Sequence, residues 1–301
     1  MNEDASERRA SGVSRVVLVD KPEDWTSYDV VRRTKGVYKG KIGHAGTLDP
    51  FATGLLLLLL GQATRLSSFF MDLPKEYLVT VQFGVVSSTG DPTGRLEPTG
   101  RTTDAQSVLA VLDRFRGEIV QRVPLTSAVK VDGERLYRKA HRGEEVETPE
   151  REVMVYDLTV VGFDAERQRM ELLAVTGKGT YVRRLAEDIG EAVGAGAHAA
   201  NLRRKRVGGF RVAQAVEPDA LTPSLVRDGS PGTVFPLSEA LAYLPRLEVS
   251  PAEARRVSNG NDLAAGPDGP FTVHGEEGLL AIYETRGDRV RPRMVFPSPE
   301  E

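Results

Sequence analysis

The chain has 301 residues, a length that suits about two domains, with 40% hydrophobic and 28% charged residues, an ordinary globular balance. It contains no cysteine, which excludes disulfides, thiolate zinc sites, iron–sulfur clusters and cysteine nucleophiles and suits a reducing, cytoplasmic setting. The formal net charge of −3, taken alone, argues against a nucleic-acid partner.

Residues 1–12 are polar, carry no apolar secretion segment, and read as a disordered tail. The β-branched run at 16–19 reads as a strand. Ser27 caps a helix that runs to Thr34 and ends at Gly36. Six leucines at 55–60, between Gly54 and Gly61, form the longest apolar run. It falls far short of the roughly 20 residues of a membrane span and reads as a buried strand. Tyr77, Val79, Val81 and Phe83 alternate with mostly polar neighbours, the period of a half-buried strand. Asp104 caps a helix with Val108, Val111, Leu112 and Phe115 on one face, closed by Gly117. Residues 152–163 and 170–175 read as strands. Thr180 opens a helix whose stripe is Val182, Leu185, Ala186, Ile189 and Val193, ending at Gly194. Strands and helices do not alternate in a βαβ rhythm. The expected class is therefore α+β, a mixed and largely antiparallel central sheet flanked by helices.

A boundary is expected near Pro245, giving a main domain at 13–245 and a small β-rich domain at 246–301. In the latter, Ser250-Pro251-Ala252-Glu253 is a capping-box helix start and Gly260 a stop. Residues 267–270 form a turn, and 271–274, 279–283 and 289–296 read as short strands.

Local charge departs from the total. Residues 32–41 sum to +5, 203–211 to +5 and 121–143 to +4, while 144–152 sum to −4. Clustered cations are the footprint of a protein that holds a phosphate backbone, although each cluster alone also reads as a solvated face.

Several chemistries drop out. The four histidines are scattered, with no His-Glu-x-x-His helix, so a catalytic zinc is not expected. No Gly-x-Ser-x-Gly elbow occurs, and Gly177-Lys178-Gly179-Thr180 lacks the spacing of a phosphate loop. One segment stands apart, Gly43-His44-Ala45-Gly46-Thr47-Leu48-Asp49-Pro50-Phe51-Ala52-Thr53-Gly54, an irregular glycine-rich loop ahead of the leucine run. Asp49, held extended by Pro50, fits a nucleophile or general base, although an aspartate before proline in a glycine-rich loop is more often an Asx-turn.

This loop is one of an ordered set. Asp20-Lys21-Pro22, the loop at 43–54, Lys75-Glu76-Tyr77, Thr89-Gly90-Asp91, Ser127-Ala128-Val129-Lys130, Arg135-Leu136-Tyr137, Lys178-Gly179-Thr180-Tyr181-Val182-Arg183 and Asn201-Leu202-Arg203-Arg204 follow one another across residues 16–211. Together they resemble the motifs of the bacterial tRNA pseudouridine-55 synthases, the tRNA pseudouridine synthase B family. The tail from Arg246 resembles only loosely the PUA-type RNA-binding domain that ends many members.

The resemblance implies a pseudouridine synthase fold and an isomerase that turns uridine 55 in the T-loop of tRNA into pseudouridine. Such an enzyme flips the base, breaks the N1–C1′ bond, rotates the base and forms a C5–C1′ bond, without cofactor or metal. Asp49 matches the essential aspartate, acting covalently or as a base on the ribose. Arg183 matches the arginine that pairs with it and holds it ionised; a cation in a helix's first turn is otherwise disfavoured. Tyr77 matches the tyrosine stacked on the target base, Tyr181 and Leu202 match residues lining the uracil pocket, and His44 matches the histidine that fills the gap left by the base. Lys21 matches a lysine that supports the loop. The stretch at about 121–152 matches an insertion that folds over the tRNA T-arm. A stand-alone cytoplasmic monomer is implied, with no membrane contact and no protein partner required. Phe51 departs from the family's smaller aliphatic residue, and the leucine run is unusually uniform. Two rivals are a guide-RNA-dependent pseudouridine synthase and a tRNA-folding chaperone role, which can coexist with catalysis.

Overall fold

The computed structural model describes residues 10–296 except 125, 128–129, 132–133, 137–141 and 143–147. Most of the basic insertion at 121–143, and residues 1–9 of the expected tail, therefore lie outside the described residues or border on them.

The leucine run explains the architecture. An eight-residue strand, Thr53–Leu60, contains all six leucines, each fully buried. Successive side chains on a strand point to opposite faces. Leu55, Leu57 and Leu59 pack with Val16, Leu18, Leu66 and Phe70, whereas Leu56, Leu58 and Leu60 pack with Val17, Val19, Val30 and Val31. A continuous apolar run is thus what a strand covered on both faces requires.

Around it the sheet runs in the order Val234–Pro236, Arg15–Lys21, Thr53–Leu60, Ala197–Val207, Lys75–Phe83, Arg169–Thr176, Glu150–Asp164, Gly117–Arg122. Every pairing in this sheet is antiparallel except one, the parallel joint of Ala197–Val207 with Thr53–Leu60. The α+β class with a mixed, largely antiparallel sheet is therefore correct. Lys75–Phe83 alternates buried and half-buried residues along its whole length, and its buried face packs beneath the Val182–Ala192 helix through Val182, Leu185, Ala186 and Ile189.

The edge of Thr53–Leu60 facing away from Arg15–Lys21 is shared. Its C-terminal half pairs with Ile42–Ala45, and its first residues pair with Arg203 and Arg204. The loop 46–52 fills the seam between them. At the joint, Gly54 has φ +105°, and a Cβ there would lie 2.3 Å from the Arg204 carbonyl oxygen, so the close approach of the two backbones requires glycine.

Several expectations shift. Thr26, not Ser27, caps the first helix, exchanging bonds with Asp29 in a capping box, and Ser27 is buried in the first turn. Tyr181 rather than Thr180 precedes the Val182–Ala192 helix. The loop at 43–54 is regular at both ends, because Gly43 to Ala45 pair with Leu59 to Leu57 and Thr53 and Gly54 begin the leucine strand. Ala197–Val207 is a central strand, although its C-terminal half has the sequence of a basic cluster. Within that cluster Arg204 is buried, Arg203 pairs with Asp20 at 2.6 Å and Arg206 lies 3.6 Å from Glu76, so three of its five cations are buried or paired within the protein.

A four-stranded sheet follows, Arg246–Glu248, Gly269–Gly275, Gly278–Arg286 and Arg289–Val295, carrying the capping-box helix Pro251–Ser258. One face buries Val257, Phe271, Val273 and Tyr283. Ile282 and Phe296 instead join the core of Leu66, Phe70 and Leu241, and the Arg293 guanidinium sits 5.0 Å above the Phe69 ring. No helix among the described residues is long and apolar enough to cross a membrane.

Truncating Leu57 to alanine leaves a cavity in a core that is closed on all sides, and should cost about 2–5 kcal/mol of stability in urea unfolding. Leu109→Ala, at a position 56% exposed, should change it by less than about 0.5 kcal/mol.

Candidate active site

A cleft of about 1000 Å³ opens where the loop 46–52 meets the start of the Val182–Ala192 helix and the strands Lys75–Phe83 and Ala197–Val207. Asp49 stands in its wall, with about a third of its side chain open to the cleft (34%). Its carboxylate does not form the Asx-turn that the sequence left open. Oδ2 lies 2.9 Å from Arg183 Nε, whose N–H points off that line, so the contact is an ion pair rather than a hydrogen bond.

Arg183 is buried (3% exposed) and held from its other end. Nη1 donates to the Thr89 carbonyl at 2.9 Å, to Asp91 Oδ2 at 2.8 Å and to Thr126 Oγ1 at 2.8 Å. Three acceptors for a nitrogen with two hydrogens leave it no freedom to turn. Asp91 is in turn fixed through Oδ1, which accepts from Thr89 Oγ1 at 2.8 Å, Thr93 Oγ1 at 2.5 Å and the Thr93 N–H at 3.0 Å. The cation that a helix's first turn disfavours is thus offset by two acids.

Burial pushes the Asp49 carboxyl above its ordinary range; Arg183 opposes that, Asp91 adds to it and Lys21 opposes it. Arg183 thus acts in the expected direction, against a larger opposing influence from burial.

The loop is pinned from below. Lys21 is fully buried, and its ammonium donates to the carbonyls of Pro22 at 2.8 Å, Trp25 at 2.6 Å and Pro50 at 3.1 Å. Burial lowers its pKa to about 8, against the pull of Asp49. The Ser27 hydroxyl accepts from the Leu48 N–H at 2.9 Å. Phe51, the residue that departs from the family pattern, is buried in the main core beside Tyr77, Val182 and Leu202.

The other expected residues share this cleft. Tyr77 and Arg204 are directly opposed on neighbouring strands and so occupy one face of the sheet. Tyr181 begins the helix with its backbone clamped by the buried Gln121 amide, which accepts from its N–H at 3.0 Å and donates to its carbonyl at 3.3 Å. Leu202 and His44 complete the lining. His44 Nδ1 is buried without a partner, and burial, then the Arg204 charge, lowers the ring's pKa, so the imidazole is neutral at pH 7. Lys21 lies beneath the cleft rather than in its lining.

Asp91, Gln121 and Arg204 were not singled out by residue-type reasoning. Arg204 donates from Nε to Leu55 O at 2.7 Å and from Nη2 to Gly46 O at 2.8 Å, tying the loop to two strands. The available signal was its two-residue spacing from Leu202 on one strand face. Lys75 also lines the cleft, its ammonium bonded to the carbonyls of Met71 and Leu73 and its pKa lowered to about 8 by burial. Among the described residues, no three metal-ligating side chains converge.

The family model for the N-terminal domain of TruB family pseudouridylate synthases matches residues 32–182, and that for the tRNA pseudouridylate synthase B C-terminal domain matches residues 183–242. The tRNA pseudouridine synthase B of Thermobifida fusca is 40% identical over 294 residues, covering 93% of this chain and 98% of its own. That of Azoarcus sp. is 38% identical, covering 94% and 95%. Among solved structures, a Cbf5-Nop10-Gar1 complex matches with a TM-score of 0.72 and 26% identity over 95% of this chain and 85% of its own. An H/ACA RNP bound to a substrate RNA containing 2′-deoxyuridine shares the fold, with a TM-score of 0.71 at 24% identity over 95% of this chain and 86% of its own.

Carbon-detected NMR titration of the Asp49 carboxyl should place its pKa above the ordinary aspartate value, and Arg183→Gln should move it further up, because a favourable charge is lost while burial stays. Any reaction that needs the ionised carboxylate then fails from the acid side, at a higher pH in the variant than in the parent. A downward shift in Arg183→Gln would contradict this assignment.

Proposed function

The chain belongs to the TruB family of pseudouridylate synthases, and on that premise we propose that it converts uridine 55 in the T-loop of tRNA to pseudouridine. The observation that carries this reading is the geometry of Asp49, a carboxylate open to a nucleotide-sized cleft and paired off-axis with a buried arginine.

The target uridine leaves its stack and enters the cleft, at a cost of a few kcal/mol. Tyr77 stacks on the base, Tyr181 and Leu202 line the uracil, and the neutral ring of His44 occupies the space the base vacates. Asp49 acts on the ribose, as nucleophile at C1′ or as base; both roles use the ionised carboxylate and an unblocked oxygen. The N1–C1′ bond breaks, the base rotates within the cleft, C5 bonds to C1′ and the C5 proton is released. Arg183 orients the carboxylate throughout, and Lys21 supports the loop from below. No cofactor takes part. The main domain spans 13–245, its insertion at about 121–152 folds over the T-arm, and 246–301 forms a PUA-like RNA-binding domain.

The enzyme works as a monomer without a guide RNA. Support comes from the near-full-length match to relatives named as tRNA pseudouridine synthases, against lower identity to the H/ACA proteins.

The purified chain should release tritium from 5-tritiated uridine in an unmodified tRNA transcript with no guide present. Asp49→Asn should release none while keeping tRNA affinity within about tenfold, or roughly 1.4 kcal/mol. Turnover by that variant, or release only when a guide RNA is added, would overturn the reading.

A further inference from the structure

The proposed reaction gives no role to an exposed aromatic ring in the cleft lining. Tyr28, in the first turn of the Ser27–Thr34 helix, lines the same cleft as Asp49 and is nevertheless 60% exposed. Its position is fixed, because the preceding Ser27 is buried and bonded to Leu48, next to Asp49 in the chain. Arg32 and Lys35 follow at four and seven residues, the spacing of one helix face, and both are exposed. The Lys35 ammonium lies 5.6 Å from the centroid of the Tyr28 ring. Arg32 holds Asp29 at 2.7 Å, an exposed pair that a phosphate can replace at little cost. Lys39 and Lys41, also exposed, extend the run of cations in the sequence.

A single exposed tyrosine needs no explanation. An aromatic ring at the rim of a cleft, with cations behind it on the same helix face, has the composition of a single-strand nucleic-acid track. Every base offers a π face to the ring, and the cations follow the phosphates. Resting on the reading of the cleft as a uridine site, we infer that this stripe carries the RNA strand as it leaves the cleft. Tyr28 stacks an unpaired base flanking the flipped nucleotide, and Arg32 and Lys35 hold the phosphates of that strand. The contact lies outside the target base's own pocket, so it adds affinity without touching the reacting atoms.

The test uses the full chain carrying Asp49→Asn, titrated with an unmodified tRNA transcript. Adding Tyr28→Ala should weaken binding about tenfold, while Tyr28→Trp should stay within about twofold of the parent, since stacking needs a ring and not a hydroxyl. Lys35→Ala should lower the slope of log Kd against log salt by about one unit. Tyr156→Ala removes a ring of similar exposure (55%) outside the cleft and should leave the affinity in place. With 2-aminopurine placed beside the target nucleotide, the fluorescence change on binding should vanish in Tyr28→Ala and persist in Tyr28→Trp. Equal affinity of Tyr28→Ala and its parent, or a loss that tryptophan does not restore, overturns the inference. Failure of the Asp49→Asn parent to bind tRNA removes the underlying reading instead, and shows itself before any Tyr28 variant is compared.

Discussion

A guanidinium buried between two carboxylates governs this molecule. Taking three charged groups out of water is expensive and is recovered only where every donor and acceptor is met. Arg183 comes close to that condition by reaching four elements: the loop of Asp49, the turn of Thr89 and Asp91, Thr126 of the insertion and its own helix; only Nε is left without a hydrogen bond, and it faces the Asp49 charge. Each of these must be in place for the charge to be tolerated. Lysine could not substitute, because its single nitrogen cannot face two carboxylates from separate atoms as the planar fork does through Nε and Nη1. The off-axis contact to Asp49 has a chemical benefit. It keeps the anion in position without committing its oxygen to a donor.

The loop that carries Asp49 has no regular structure of its own, yet it is fastened on every side. Lys21 and Ser27 hold its backbone, Phe51 anchors it in the core, and Arg204 ties Gly46 to the strand beneath. Such a loop behaves as a rigid element. The carboxylate is therefore placed before any substrate arrives, the condition under which a fixed charge is most effective.

Much of the fold is written in local pattern. The leucine strand, the alternation from Tyr77 to Phe83, the Asp104 cap and the Ser250 capping box all follow from period and capping chemistry. The strand Ala197–Val207 was not legible, because its charged C-terminal half reads as solvent-facing. Its arginines are buried or paired by partners more than a hundred residues away, which no window of sequence reveals. The same blindness applies to Asp91 and Gln121, whose value lies in what they touch. Net charge misleads for a related reason. Cations that hold a loop together and cations that face solvent count alike in a sum, and only burial separates Arg204 from Lys35.

The parallel joint at Gly54 has a consequence for how the chain must assemble. The strand that fills the middle of the sheet is made long after both of its neighbours, Thr53–Leu60 and Lys75–Phe83. During synthesis, which runs from the N-terminus at about 5–20 residues per second, the edge of Lys75–Phe83 and the first residues of Thr53–Leu60, beyond its pairing with Ile42–Ala45, must wait unpaired for several seconds. Ala197–Val207 then enters between them, bringing Leu202 and Arg204 into the site in the same motion. The architecture is closed by its centre rather than by its rim. The cleft of Asp49 can therefore exist only in a molecule whose sheet is already complete, and a truncated nascent chain presents unsatisfied strand edges instead of a partly formed site.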